Sequence, residues 1–281
     1  MEQVEYAIIG GSSTNSVDFP LDIDYDKTIN IIRRDFTMNT PYGLSPPLTL
    51  FSINDRMCLT VKFHGWRPKI ARGLASQQLF WAFKELGVKI IISEGGVGAV
   101  NQLLNPRDLI MSTDYIDLSM RKDISISDEH LLIMRQPVCP NLQAILYESA
   151  QKHASQAKVF ERGIYAVTDG RHFESVAEVQ MIKQYGADII GQSMCPEVYL
   201  AREIGACYGR IDMVVNFAEG IVIPWQHKEL KTIFFDESQR IGKIVLDTLL
   251  QADRITCKCS EYRKDTLIEN VQDVKPAISP I

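Results

Sequence analysis

The residues best suited to chemistry fall within one stretch, Gly163–Gly220, which reads GIYAVTDGRHFESVAEVQMIKQYGADIIGQSMCPEVYLAREIGACYGRIDMVVNFAEG. Phe173 and Glu174 stand side by side in a loop. Ser193 lies just before a helix opened by Pro196-Glu197, and Asn216 follows the apolar run Met213-Val214-Val215. A carboxylate only accepts hydrogen bonds, whereas an amide both donates and accepts. A helix start attracts anions through its free N–H groups. With an aromatic face to stack on, this set suits a flat heterocycle joined to something phosphate-like.

Short apolar runs must carry these residues into place. Tyr6–Ile9 reads as a strand running into Gly10-Gly11-Ser12-Ser13, and Leu48–Phe51 and Cys58–Phe63 as two more, the second ending at His64-Gly65. Val88–Ile92 leads to Glu94-Gly95-Gly96-Val97-Gly98. Leu109–Ser112, Gly163–Val167, Asp188–Ile190 and Ala206–Val215 follow, the third of these leading to Gly191-Gln192-Ser193. Helical spacing marks Ala75–Leu86, Asn141–Lys152, Ser175–Tyr185, Pro196–Ile204 and His227–Gln251, with Gly87, Gly186 and Gly205 as stops. This alternation predicts an α/β fold: one domain over residues 1–260, with a central mixed sheet flanked by helices, and a loosely held tail over 261–281. Ligands gather at the carboxyl ends of strands in such sheets. Four of those ends are rich in Gly, Ser or His, whose small side chains and donors can cradle an anion. None is a Walker A loop, and Gly95–Gly98 lacks dinucleotide spacing.

Composition narrows the partners. The 281 residues are 46% hydrophobic, enough for a core that needs no disulfide or metal. A net charge of −5 argues against a general nucleic-acid surface. No apolar run approaches the roughly 18 residues of a membrane span. The acidic start Met1-Glu2-Gln3-Val4-Glu5 is no secretory signal, so a cytoplasmic protein with reduced thiols is expected. Its six cysteines (58, 139, 195, 207, 257 and 259) include one close pair, Cys257-Lys258-Cys259. A C-x-C without partner histidines is a weak metal signal, and buried or idle thiols are the ordinary reading. No metal and no cofactor are expected.

The chain resembles the trimeric purine nucleoside phosphorylases and methylthioadenosine phosphorylases. The likeness is strongest in Asp169-Gly170-Arg171-His172-Phe173-Glu174, Gly186-Ala187-Asp188 and Gly191-Gln192-Ser193-Met194-Cys195-Pro196-Glu197. Those segments match a family pattern of G-P-x-F-(E/S), G-A-D and (G/N)-M-S/T-x-x-P-E. Ile8-Ile9-Gly10-Gly11-Ser12, Phe63-His64-Gly65, Asn105-Pro106-Arg107-Asp108 and Asp114-Tyr115-Ile116-Asp117 extend the likeness over about residues 5–250.

The resemblance implies phosphorolysis of a purine nucleoside to free base and (deoxy)ribose 1-phosphate, with inorganic phosphate as co-substrate, in a homotrimer or a dimer of trimers. It implies Ser12, Lys62, His64, Gly96 and Ser193 around the phosphate. Gly95, Trp66, Phe173, Gln192 and His227 would line the purine and sugar. Glu174 would take N1–H of a 6-oxopurine and Asn216 would bond N7, where charge grows as the base leaves. Methylthioadenosine-type members usually carry Ser and Asp at these two positions, so Glu174 with Asn216 favours 6-oxopurines, with a 5′-modified sugar still allowed. Four positions depart from the pattern. Gln192 replaces a Met, Arg171-His172 replaces the loop Pro, and Ser13 replaces a Gly. The phosphate-site Arg is present as Lys62 or has moved to Arg67 or Arg72. Two alternatives therefore stay open: a purine nucleosidase that uses water, and a non-catalytic purine-binding member. Read without the likeness, Ser193 is a helix N-cap, Phe173 a core residue, and Arg121-Lys122 solvated surface.

Overall fold

The computed structural model describes residues 3–63, 67–154, 156–222 and 227–265, apart from the side chains of residues 227, 228 and 254. Its strands are β1 (Tyr6–Gly10), β2 (Ile29–Phe36), β3 (Asn39–Thr40), β4 (Gly43–Leu44), β5 (Leu48–Ile53), β6 (Arg56–Lys62), β7 (Ile90–Ala99), β8 (Leu109–Asp117), β9 (His130–Leu132), β10 (Val159–Val167), β11 (Ile189–Gly191), β12 (Cys207–Phe217) and β13 (Arg263–Asp265). The α-helices are α1 (Arg72–Leu86), α2 (Pro140–Lys152), α3 (Val176–Gln184), α4 (Met194–Glu203) and α5 (His227–Gln251).

Nine strands form one mixed sheet in the order β11-β10-β8-β12-β7-β1-β6-β5-β2. β1 is parallel to both β6 and β7, and β7 is parallel to β12. The sheet does not stay open. β11 also pairs antiparallel with the end of β7, Ile189 opposite Ala99 and Ile190 opposite Gly98, which rolls β11, β10, β8, β12 and β7 into a closed half.

Alternation along β1 shows how the core is divided. Ala7 and Ile9 pack with Leu79, Phe80 and Phe83 of α1 and Val198 and Ala201 of α4. Ile8 points the other way, toward Leu142 and Leu146 of α2 and Ile241, Val245 and Leu249 of α5. Successive strand side chains face opposite sides, so an unbroken apolar run serves two helical layers at once.

Several elements differ from the sequence expectation. β7 continues through Gly95-Gly96-Val97-Gly98, which reads as a loop in the sequence, because β12 pairs along its whole length. Asn216 likewise lies inside β12 rather than after it, opposite Gly98 and beside a register shift. β2 escapes detection because it is an exposed edge strand, with Arg33, Arg34 and Asp35 in its second half. Ser175 caps α3 through a reciprocal pair with Glu178. Gly87 and Gly186 end helices at φ 81° and 83°, a conformation that favours glycine. The segment expected to be loose from residue 261 instead begins in a short 3-10 turn, Cys259–Tyr262. β13 follows, with Arg263 opposite Leu132 and Asp265 opposite His130. Residues 266–281 lie outside the description. Among the described residues, no helix is long and apolar enough to cross a membrane.

Candidate active site

Where β11 closes on β7 and β12, a cavity of about 410 Å³ opens. That volume is in the range of small-molecule sites. Ser12, Gly96, Phe173, Glu174, Gln192, Ser193 and Asn216 all line it, from five separate parts of the chain.

One wall of the cavity starts at the loop after β1. Glu94 of β7 is 2% exposed and accepts from Gly11 N (2.6 Å), Thr14 N (3.0 Å) and Thr14 Oγ1 (2.7 Å). Burial raises its pKa, and these donors oppose the rise. The carboxylate thus fixes the loop that carries Ser12. Ser12 Oγ lies 3.2 Å from where a Cβ on Gly96 would stand, and the ring of Phe234 lies 2.6 Å from the same point, so only glycine fits there.

Ser193 supplies the facing hydroxyl. Its side chain makes no helix cap. It accepts instead from Arg210 Nη2 at 2.8 Å. Arg210 is fully buried in β12, with Nη2 2.8 Å from Asp212 Oδ1 and Nη1 3.5 Å from Glu197 Oε2. Ser112 Oγ donates to Asp212 at 2.5 Å, and Ser93 Oγ and Tyr208 Oη donate to Glu197 at 3.0 and 2.8 Å. Burial pushes the Glu197 carboxyl up to about 7, against the pull of Arg210. Gly95 does not line the cavity. A Cβ there would stand 2.4 Å from Arg210 Nη2 and 2.9 Å from Asp212 Oδ1, so this glycine makes room for the ion pair.

Arg210, Glu197 and Glu94 escape the sequence reading of the site. Their signal is present, though: a charged residue inside an otherwise apolar strand must be paired. Arg210-Ile211-Asp212 fits that rule, since residues two apart share a strand face.

A second wall comes from the loop before α3 and from β12. Glu174 is 8% exposed and accepts from Thr168 Oγ1 at 2.5 Å. Asn216 Nδ2 donates to Phe217 O at 2.8 Å. An amide has a second N–H and an acceptor oxygen for a ligand. Phe173 is 54% exposed, so it is a cavity-rim residue and not core.

Gln192 is engaged on both ends of its amide. Arg72 Nη2 donates to its Oε1 at 2.9 Å, and its Nε2 donates to His172 O at 3.1 Å. Its backbone carbonyl accepts from Arg72 Nη1 and Arg121 Nη1, both at 3.1 Å. Arg121 also bonds Thr168 O (2.7 Å) and pairs with Asp169 (2.9 Å). It is buried, contrary to the expectation of solvated surface. Burial and the neighbouring Arg121 lower the Arg72 pKa to about 10. Arg171 and His172 line the cavity as well.

Not every expected residue is in this cavity. Lys62 corrects the phosphate set: it borders a different cavity with Asp18, Arg34 and Asp35, and its Nζ donates to Val17 O at 3.0 Å. The reason is strand alternation at the end of β6, which turns Lys62 to the exposed side while Phe63 points into the core. Arg67 donates to Leu44 O at 2.6 Å and Ser45 O at 3.2 Å. None of the three cations expected to replace the family Arg lines the cavity, but Arg72 bonds Gln192, which does. His64 and Trp66 lie outside the described residues, as does the side chain of His227.

Known proteins share both pattern and fold. A family model described as the phosphorylase superfamily matches residues 7–251. An S-methyl-5'-thioadenosine phosphorylase of Thermofilum pendens is 29% identical, covering 95% of this chain and 100% of its own. A probable 6-oxopurine nucleoside phosphorylase of Dictyoglomus turgidum is 33% identical, covering 93% and 99%. Among solved structures, a methylthioadenosine phosphorylase from Schistosoma mansoni in complex with adenine superposes with a TM-score of 0.75 at 20% identity. It covers 92% of this chain and 96% of that one, a likeness of fold. With a family match over most of its length and relatives that cover 95% and 93% of it, the chain belongs to the phosphorylase superfamily.

Proposed function

We propose that this protein cleaves the N-glycosidic bond of purine nucleosides by phosphorolysis, favouring 6-oxopurines and accepting 5′-modified sugars. One observation carries the reading: hydroxyl and glycine groups suited to an oxyanion share a single cavity with an acid, an amide and an aromatic suited to a purine. Relatives named for 6-oxopurine nucleosides and for S-methyl-5'-thioadenosine support both halves of it.

In this reading Ser12, Ser193 and the backbone of Gly96 hold inorganic phosphate, and the same role stays assigned to His64. No further cofactor takes part. A phosphate oxygen attacks the anomeric carbon as the bond to the base breaks. The bonding pair leaves with the purine, and Asn216 stabilises the charge that grows at N7. Glu174 accepts N1–H, and Phe173 covers the ring. Interactions of this kind lower the barrier because they strengthen as charge develops. Trp66 and His227 stay assigned to the sugar. Subunits assemble as a homotrimer, or as a dimer of trimers, in the cytoplasm. Neither nucleic acid nor a membrane is a partner.

A nucleoside panel assayed with and without phosphate tests the reaction. Inosine and guanosine should release base only when phosphate is present, with ribose 1-phosphate formed in equal amount. The placement of Lys62 away from the cavity favours the second reading, a nucleosidase in which water attacks. Equal rates without phosphate would establish that reading and end the first. Binding without turnover across the panel would make the protein a purine-binding relative.

A further inference from the structure

The four cysteines at 139, 207, 257 and 259 come from three separate stretches of the sequence but meet in the fold. Their Sγ atoms all lie within 4.8 Å of one another, and those of Cys207 and Cys257 are 3.1 Å apart. Tetrahedral zinc with sulfur at about 2.3 Å requires sulfur–sulfur edges of about 3.8 Å, so the cluster needs changes of up to about 1 Å in its separations to enclose the ion. Cys139, Cys207 and Cys259 are buried, and Cys257 closes the set from the exposed side. We propose that this Cys139–Cys207–Cys257–Cys259 cluster binds one zinc ion as a closed structural site.

The surroundings are built for it. Cys139 is the residue before α2, and its N–H donates to Tyr208 O at 2.8 Å. Cys207 opens β12, and its N–H donates to Lys89 O at 2.8 Å. Two ligands are therefore set by rigid elements. Cys257 and Cys259 come from the chain after α5, where Lys258 turns at φ −109°, ψ 23° into the short 3-10 turn. Buried Arg202 donates to Cys259 O at 3.1 Å and to Pro137 O at 3.3 Å, tying both sides together and placing a cation near the site. Such outer contacts orient metal ligands. Four thiols give up as many as four protons when they bind Zn²⁺, leaving a complex of charge −2 that the nearby Arg202 guanidinium favours. A sulfur-only tetrahedral set selects zinc or an iron–sulfur centre over hard cations. The ion would fasten the segment leading to β13 onto the core.

The site is remote from the cavity. Cys207 and Asn216 are nine residues apart on β12, roughly 30 Å of extended strand. Metal content and nucleoside cleavage can therefore be read separately.

The test is to purify the full chain under reducing conditions with zinc in the growth medium. Metal is then measured by plasma mass spectrometry, and thiols are counted in the folded protein and again after unfolding with a chelator releases the ion. The expected result is about one zinc per chain, with four thiols that become reactive only on release. Cobalt exchanged into the same protein should show the visible spectrum of a tetrahedral tetrathiolate. The Cys257→Ser/Cys259→Ser variant should lose at least tenfold in bound zinc and melt at a lower temperature, while nucleoside cleavage at low temperature is retained. Reduced wild-type protein that takes up neither zinc nor cobalt would overturn the proposal. So would an intact mass showing that these cysteines are joined as disulfides in protein purified without oxidant.

Discussion

Glu174 has one oxygen engaged by Thr168 and sits within a cavity that also holds Asn216 and Phe173. A carboxylate in that position discriminates by what it cannot do. It accepts from the N1–H of a 6-oxopurine but has no hydrogen to offer the bare N1 of adenine. Hydrogen bonds to charged groups contribute about 1.5–3 kcal/mol. Glu174→Ala should therefore lower kcat/KM for inosine about 10- to 100-fold, each factor of ten being about 1.4 kcal/mol. The loss for adenosine should be clearly smaller, and steady-state kinetics on both nucleosides decides it. Equal losses would remove the carboxylate from base recognition. At this scale the sequence is a good guide to the residues that line the cavity. It is a poor guide to the ones behind them: Ser193 is visible in a motif, while the Arg210 that holds it is not.

Two elements shape the wall proposed to hold the anion. β7 passes so close to α5 that a methyl group on Gly96 would stand 2.6 Å from the Phe234 ring and 3.2 Å from Ser12 Oγ. Overpacking of this sort costs about 1–3 kcal/mol and moves the neighbours. Gly96→Ala should raise the KM for phosphate about tenfold or more, with a smaller change in KM for the nucleoside. The two KM values measured against each other provide the check, and an unchanged phosphate KM would exclude Gly96 from the anion wall. The glycines after Glu94 look like a loop because glycine is depleted in strands. Here the residues stay paired with β12, and glycine is required at 95 and 96 because the space a side chain would take is filled by Arg210, Phe234 and Ser12. Local propensity yields to a neighbour that no local window contains.

The mouth of the cavity bears on the assembly. Phe173 on its rim and Phe235, next to the cavity-lining Phe234, are 54% and 65% exposed, and Val176 and Val222 are 52% and 53% exposed. Exposed apolar groups mark ligand-binding grooves or surfaces where chains meet, and Phe235, Val176 and Val222 lie outside the cavity lining. Together with the family likeness, they lead to the expectation of a trimer or a dimer of trimers. Light scattering should give three or six times the 31.8 kDa chain mass. A monomer at working concentration, fully active, would refute the assembly.

From the residues alone come the alternation of strands and helices, the helix stops at Gly87 and Gly186, and the motifs carrying Ser12, Phe173, Glu174, Ser193 and Asn216. These are legible because periodicity and turn chemistry act over a few residues. The tertiary structure alone decides the rest: that β11 closes on β7 to form the cavity, that Lys62 faces away from it, and that Arg210 supports Ser193 from within the core. It also brings together four cysteines spread over 121 positions, Cys139 to Cys259. Each of these depends on contacts between distant segments, where strand pairing and burial set which side chains meet, and no stretch of chain carries that information by itself.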